Sequence, residues 1–258
     1  MAADLYCTAN FTPPPLTDDI LELVREIEQA LQIIREKQAH HGPHHLEFRD
    51  KLEIIQASLE IEGSTLSLEQ IKAILSDREA DVPEKDITEI LNTVMAYESM
   101  ERWSPLCPEN LKEAHWILMN DLLSRPGEYR KGANGISRSG AILHVAPPAG
   151  MVPALMTELF GFLRQLDYPD LIKSCIFHYE FEYIHPFADG NGRLGRLWHT
   201  LFLSGFDDLF LEVHIESAIR DHQQEYYDAF DRCGREVHSG VFVVFMLERI
   251  LETLLYYI

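Results

Sequence analysis

His185-Pro186-Phe187-Ala188-Asp189-Gly190-Asn191-Gly192-Arg193-Leu194-Gly195-Arg196 is the stretch on which the reading of this chain turns. Upstream of it, Ile172, Cys175, Ile176, Tyr179 and Tyr183 recur at helical spacing. Proline disfavours helical backbone in the residue before it, so this stripe predicts a helix that ends with His185 at its exit, in a loop. Downstream, Leu194, Leu197, Trp198 and Leu201 open a second amphipathic helix. The order is helix, polar glycine loop, helix. Gly190, Gly192 and Gly195 also match G-x-G-x-x-G, with Asp207 or Asp208 almost far enough downstream to mimic a ribose-binding acid. A dinucleotide fold, however, needs a buried strand before those glycines and a βαβ alternation, and the chain has neither. No G-x-x-x-x-G-K-[ST] and no H-E-x-x-H occurs.

Such a loop is built for anions. Gly190 and Gly192 let the backbone approach a ligand, and the following helix presents unpaired N–H groups and its positive dipole end to the same space. Arg193 and Arg196, three apart in the first turns, can clamp two phosphates of one polyphosphate. Asp189 supplies a hard oxygen for Mg²⁺ held against those phosphates. His185 is the one group there able to accept a proton near neutral pH.

Outward from the loop the chain reads as mainly α. The Pro13-Pro14-Pro15 run favours an extended arm. Ile20, Leu23, Val24, Ile27, Leu31 and Ile34 predict a first helix capped by Thr17 and Asp18, ending before the turn His40-His41-Gly42-Pro43-His44-His45. Phe48, Leu52, Ile55 and Leu59 define a second helix that stops at Gly63, with Ser58 and Glu62 four apart on one face. Ser67-Leu-Glu-Gln70 fits a capping box. Further helices are expected at about 86–100, 109–124 and 151–166. Residues 127–148, punctuated by Gly127, Gly132, Gly135 and Gly140, predict a β-hairpin turning near Arg138-Ser139-Gly140.

Hydrophobic residues at 46% and charged residues at 25% of 258 place the chain among folded globular proteins. Lys+Arg 22 against Asp+Glu 42 leaves a net charge of −20, the wrong sign for holding nucleic acid or an anionic membrane. Cys7, Cys107, Cys175 and Cys233 form no C-x-x-C pair; Cys175 and Cys233 read as reduced core thiols. The N-terminus lacks a basic and then apolar leader, and no apolar run reaches the ~18 residues of a membrane span, so the cytoplasm is the expected compartment.

Residues 185–196 resemble the H-P-F-x-[DE]-G-N-G-R-x-x-R signature of the Fic family, with all nine specified positions matched. The similarity extends from about residue 46 to 250, taking in the lead-in His178-Tyr-Glu-Phe-Glu-Tyr-Ile184 and the 127–148 hairpin. The resemblance implies a Fic-type helical bundle with the hairpin as a flap over the active-site loop. Residues 1–45 would form an arm and helix, 46–100 a helical segment, and 101–258 the core. Family members typically transfer AMP from ATP, with Mg²⁺, to a Ser, Thr or Tyr hydroxyl of a protein. By position, His185 would be the general base and Asp189 the Mg²⁺ ligand. Asn191, with the Gly190 and Gly192 backbone, would hold the α-phosphate, and Arg193 and Arg196 the distal phosphates, with Arg130 or Lys131 as further candidate cations. Phe187 reads as a core anchor.

The hairpin edge would pair with an extended segment of a protein substrate, with Ile136 clamping it. Tyr226 and Tyr227 would wall the adenine, although their helical spacing from Phe230 also fits plain core. Ser58-Leu-Glu-Ile-Glu62-Gly63 resembles the [ST]-x-x-x-E-[GN] motif of the family's inhibitory helix, here N-terminal to the core as in its class II members. Glu62 would pair with Arg196 and remove the cation that the γ-phosphate needs. Two other functions compete: removal of AMP from a modified protein with Glu62 orienting water, and a non-catalytic nucleotide-binding interaction module. Self-modification and a homodimer are left open.

Overall fold

The computed structural model describes residues 11–41, 48–138, 141–213, 215–234 and 238–258. The chain is mainly α. In order come α1 (Asp18–His41), α2 (Phe48–Ile61), α3 (Leu68–Leu75), α4 (Glu84–Ser99) and α5 (Pro108–Met119). Strands β1 (Gly135–Arg138) and β2 (Ala141–Val145) follow, then α6 (Val152–Gln165), α7 (Asp170–Ile184) and α8 (Asn191–Phe206). The chain closes with α9 (Glu216–Asp221), α10 (Gln223–Cys233) and α11 (Gly240–Leu255).

The centre of the bundle is α7, which buries side chains on every side: Leu171, Ile172, Cys175, Ile176, Phe177, Tyr179, Phe181 and Ile184. A helix apolar all round belongs in a core. It packs against α6, α8 and α11, and α1 lies along α11. Phe177 joins these layers through contacts with Phe181, Trp198 and Phe202 at centroid distances of 5.3, 6.5 and 5.3 Å. The predicted α1 stripe is buried at Ile20, Val24, Ile27, Leu31 and Ile34, and Thr17 Oγ1 accepts the Ile20 N–H at 3.4 Å. A separate, smaller apolar cluster ties α2, α3 and α4 together through Leu52, Ile55, Leu59, Ile71, Ile74 and Ile90. The Ser67–Gln70 capping box opens α3 as expected.

Two boundaries differ from the sequence expectation. Helix α1 runs through His41, two residues farther than expected; Gly42 to His45 lie outside the described residues. Helix α5 stops at Met119 rather than near 124, because Asp121 takes φ +60° and Asn92 Nδ2 donates to the carbonyls of Leu118 and Asn120. Helix α8 begins at Asn191, which puts both arginines in its first turns as expected. The strands β1 and β2 pair antiparallel, with an irregularity between Ile136 and Ser137; Ser139 and Gly140, at the expected turn, lie outside the described residues. Cys107, Cys175 and Cys233 are free thiols, the last two buried. Among the described residues, no helix is long and apolar enough to cross a membrane.

Candidate active site

The loop between α7 and α8 opens onto a pocket of about 250 Å³. His185, Asp189, Gly190, Asn191, Gly192 and Arg196 line it from the loop side, Tyr226 and Tyr227 from α10, and Glu62 from the end of α2. Most of the residues singled out in the sequence therefore meet in one space.

The loop is held from behind. Phe187 is fully buried and stacks on His115 at 3.7 Å. His115 Nδ1 accepts the Gly127 N–H at 2.8 Å, which leaves Nε2–H to donate to the Asp189 carbonyl at 2.9 Å. Burial pushes the His115 pKa down to about 4, so the neutral imidazole that this bonding needs is the stable form. Arg130 is buried as well; its guanidinium donates to the carbonyls of His185, Ile184, Pro147 and Gly132. That corrects its expected place among phosphate-binding cations, since its donors are committed to the backbone. Lys131 stands out in solvent, 3.6 Å from Glu128. At the root of the hairpin, Asn134 Nδ2 donates to the carbonyls of Phe187 and Ala188 at 3.0 Å each.

His185 leaves α7 in the left-handed region (φ +49°, ψ +61°), with its N–H still bonded to the Phe181 carbonyl. Asp189 Oδ1 accepts the Gly190 N–H at 2.7 Å. The Asn191 carboxamide closes on Phe187, Oδ1 accepting its N–H and Nδ2 donating to its carbonyl, which leaves one Nδ2 hydrogen for a ligand. Arg193 is buried beside Met119 Sδ and 3.8 Å from Glu89, and does not line the pocket in this state. Its Nε and Nη1, and Nε of Arg196, are buried without an acceptor from the protein. Buried guanidinium donors lacking acceptors suit an incoming anion.

Opposite the loop, Arg196 Nη2 donates to Glu62 Oε1 at 2.8 Å and to the Ser58 carbonyl at 2.9 Å. Burial alone would lower the Arg196 pKa, but the charge and hydrogen bond of Glu62, together with Tyr97 and Tyr226, offset it and the net shift is upward. Gly192 makes room for this pair: a Cβ there would collide with Glu62 Oε1. Gly63, at φ +94°, turns the chain out of α2, and Ser58 is fully buried one turn before Glu62. The Tyr226 hydroxyl meets His178 Nε2 at 3.0 Å, and burial and the Glu182 carboxylate hold its phenol well above the usual tyrosine range. Ile136 pairs with His144 across the hairpin; its side chain lies outside the described residues.

Sequence reasoning missed His115, Asn134, the clamping role of Arg130, and Glu182, a buried pocket carboxylate one turn before His185. For Glu182 a signal existed, because an acid inside a helix apolar on every face has nowhere to go but inward.

Asp189 is the one loop carboxylate in the pocket, and among the described residues no group of three His, Cys, Asp or Glu is placed to hold a metal. This donor set fits a Mg²⁺ that takes one carboxylate and otherwise phosphate and water oxygens; it does not fit a cage built by protein alone.

The Fic/DOC family matches residues 105–203. The crystal structure of a Fic family protein from Desulfovibrio desulfuricans G20 superposes with a TM-score of 0.89 at 38% identity, over 95% of this chain and 76% of that one. A probable protein adenylyltransferase of Aquifex aeolicus is 29% identical over 194 residues, 70% of this chain and 55% of its own length. The protein adenylyltransferase Fic of Culex quinquefasciatus is 28% identical over 192 residues, 67% of this chain and 35% of its own. The chain thus spans about half of one curated relative and a third of the other.

Proposed function

The chain belongs to the Fic/DOC family, and from that premise we propose that it is a protein adenylyltransferase, moving AMP from ATP to a Ser, Thr or Tyr hydroxyl and held off in cis by Glu62. The observation that carries the reading is the convergence of His185, Asp189 and Arg196 on one pocket that Glu62 enters from α2. The target oxygen attacks the α-phosphorus while its proton passes to His185. The bond from that phosphorus to the bridging oxygen of the β-phosphate breaks, and pyrophosphate leaves with the bonding electrons. The N-terminus of α8 and the two arginines receive the charge on the phosphate oxygens, so the loop contributes position and fixed positive potential. Asp189 would hold a Mg²⁺, which would supply further neutralisation of the phosphates. Tyr226 and Tyr227 wall the base of the nucleotide.

The hairpin, rooted beside the loop through Asn134, offers an edge on which an extended substrate segment can pair, with Ile136 as its clamp. Release of Glu62 is required first. Its carboxylate neutralises Arg196, and the pocket at about 250 Å³ is below the ~300–1,000 Å³ usual for small-molecule sites.

Radiolabelled ATP with Mg²⁺ tests this: Glu62→Gly labels itself or an added protein more strongly than wild type. A Glu62→Gly protein that binds Mg²⁺–ATP and labels nothing overturns the reading. A second reading has its own support, because Glu62 and His185 share the pocket and could orient and deprotonate a water. Release of AMP from a modified protein by wild type, lost in Glu62→Gly, would favour it. Mass spectrometry after incubation with lysate identifies the transferred fragment and the modified residue.

A further inference from the structure

One buried carboxylate in the pocket has no part in the chemistry proposed above. Glu182 sits one turn before His185 on α7, 4% exposed, on the pocket wall. Its Oε2 lies 3.6 Å from His185 Nδ1. Its Oε1 and that same Nδ1 are both buried without a hydrogen-bond partner. Among the described residues, His185 is the only ion partner within 4.0 Å of it. A buried carboxyl oxygen without a hydrogen-bond partner is costly and calls for an explanation.

The opposing helix is shaped around this carboxylate. Gly195 lies inside α8, where glycine is a poor helix former, and a Cβ there would stand 2.6 Å from Glu182 Oε1. The left-handed backbone of His185, whose carbonyl accepts from Arg130 Nε at 2.7 Å, holds the imidazole beside the same turn of α7.

The geometry points to Glu182 as the positioning residue of the general base. Its carboxylate takes the Nδ1–H of His185, keeps the imidazole in the tautomer whose Nε2 is bare, and balances the imidazolium formed when the target hydroxyl gives up its proton. The present 3.6 Å is an ion-pair distance, and a closure of about 0.6 Å makes it a hydrogen bond; such tightening is common when a catalytic site fills. The kinetic half of this inference rests on the adenylyl-transfer reading, and the spectroscopic half does not.

The test uses the full chain labelled with ¹⁵N-histidine at mildly alkaline pH, with the His185 signals assigned by their loss in His185→Gln. Wild type is expected to show the Nδ1–H tautomer. Glu182→Gln, whose amide donates to Nδ1, is expected to show the Nε2–H tautomer. In a Glu62→Gly background, Glu182→Gln should lower kcat for AMP transfer by roughly 10³-fold. Its KM for Mg²⁺–ATP should stay within about twofold, since binding is not what the carboxylate serves. Glu182→Asp, which keeps the charge, should recover at least about tenfold over Glu182→Gln. Should Glu182→Gln not fold, Gly195→Ala, whose methyl would displace the carboxylate, carries the same expected tautomer switch. Wild-type His185 in the Nε2–H form, or Glu182→Gln retaining kcat within threefold of its parent, overturns the inference. If Glu62→Gly itself transfers no AMP, the transferase reading falls and the tautomer switch alone decides the role of Glu182.

Discussion

Two walls face each other across the pocket, and they are held by different kinds of force. The loop wall is fixed by buried bonds to backbone: Arg130 on His185, Ile184, Pro147 and Gly132, His115 on Asp189, Asn191 on Phe187. The α2 wall buries Ala57, Leu59 and Ile61 and meets the rest of the pocket through side-chain bonds along its last turns. Those bonds include Arg196 on Glu62 and Ser58, Arg220 on Glu60 at 3.1 Å, and Gln223 Nε2 on the Ile61 carbonyl at 3.0 Å. Stranding a buried polar group costs about 1–3 kcal/mol, whereas an exposed ion pair contributes roughly 0.2–1 kcal/mol. The loop wall is therefore locked by several buried bonds, while the α2 wall enters the pocket through one carboxylate, Glu62, whose side chain is 41% exposed.

The largest expected effect is chemical and belongs to the fixed wall. His185→Ala removes the proposed proton acceptor and leaves the loop bonds intact, because those bonds use the His185 backbone. AMP transfer in a Glu62→Gly background should fall roughly 10³-fold or more, with Mg²⁺–ATP binding by calorimetry little changed. Loss of nucleotide binding together with activity would mean that the side chain also supports the wall.

The next effect concerns what keeps that wall fixed. His199 lies fully buried on α8 against His178, 5.4 Å away, and burial pushes its pKa down to about 4; His178 is held well below its usual range by burial, His199 and Arg196. Both imidazoles are neutral in the fold, whereas the unfolded chain protonates them near pH 6.5. The stability they allow is complete above that value and is lost as pH falls towards 4, by about 3 kcal/mol for His199. Urea unfolding between pH 7 and 4.5 should show this slope, and His199→Gln should lessen it, with His115 and His178 keeping the remainder. An equal slope in the variant would place the acid sensitivity elsewhere.

The loop was legible in the sequence because nine specified residues in twelve match one family signature, and the helices were legible wherever apolar spacing decides burial, as along α1 and α7. What escaped depends on direction in space. Nothing local says that Arg130 turns inward to carbonyls rather than outward to phosphate, or that Arg193 rests beside Glu89 in this state. Helix α5 ends on a left-handed aspartate, a conformation that leaves little trace in the sequence beside the strong punctuation of Gly63. His115 is invisible because its two partners, Gly127 and Asp189, are brought to it only by the fold.

On the removable wall, Glu62→Gly is expected to raise AMP transfer about 100-fold, the equivalent of about 2.7 kcal/mol of preference for the blocked state. A single guanidinium–carboxylate hydrogen bond, at ~1.5–3 kcal/mol, is of the right size. A gain below about threefold would mean that α2 blocks by its bulk and not by its charge, and the contrast between the walls would weaken.

The smallest effect sharpens the comparison most. Arg220 and Glu60 are each about one-third exposed, at 33% and 31%, so their pair should contribute at the surface level of ~0.2–1 kcal/mol. Glu60 lies two residues before Glu62, and neither it nor Arg220 lines the pocket. If α2 is seated as a unit, Arg220→Gln should raise AMP transfer roughly 1.5- to fivefold in the wild-type background and add nothing once Glu62 is glycine, because the seat then holds no blocking group. High salt should mimic the substitution by screening the same pair. Additive gains in the double variant would show instead that Arg220 acts on the active site directly, and the α2 wall would have to be described as part of the catalytic frame.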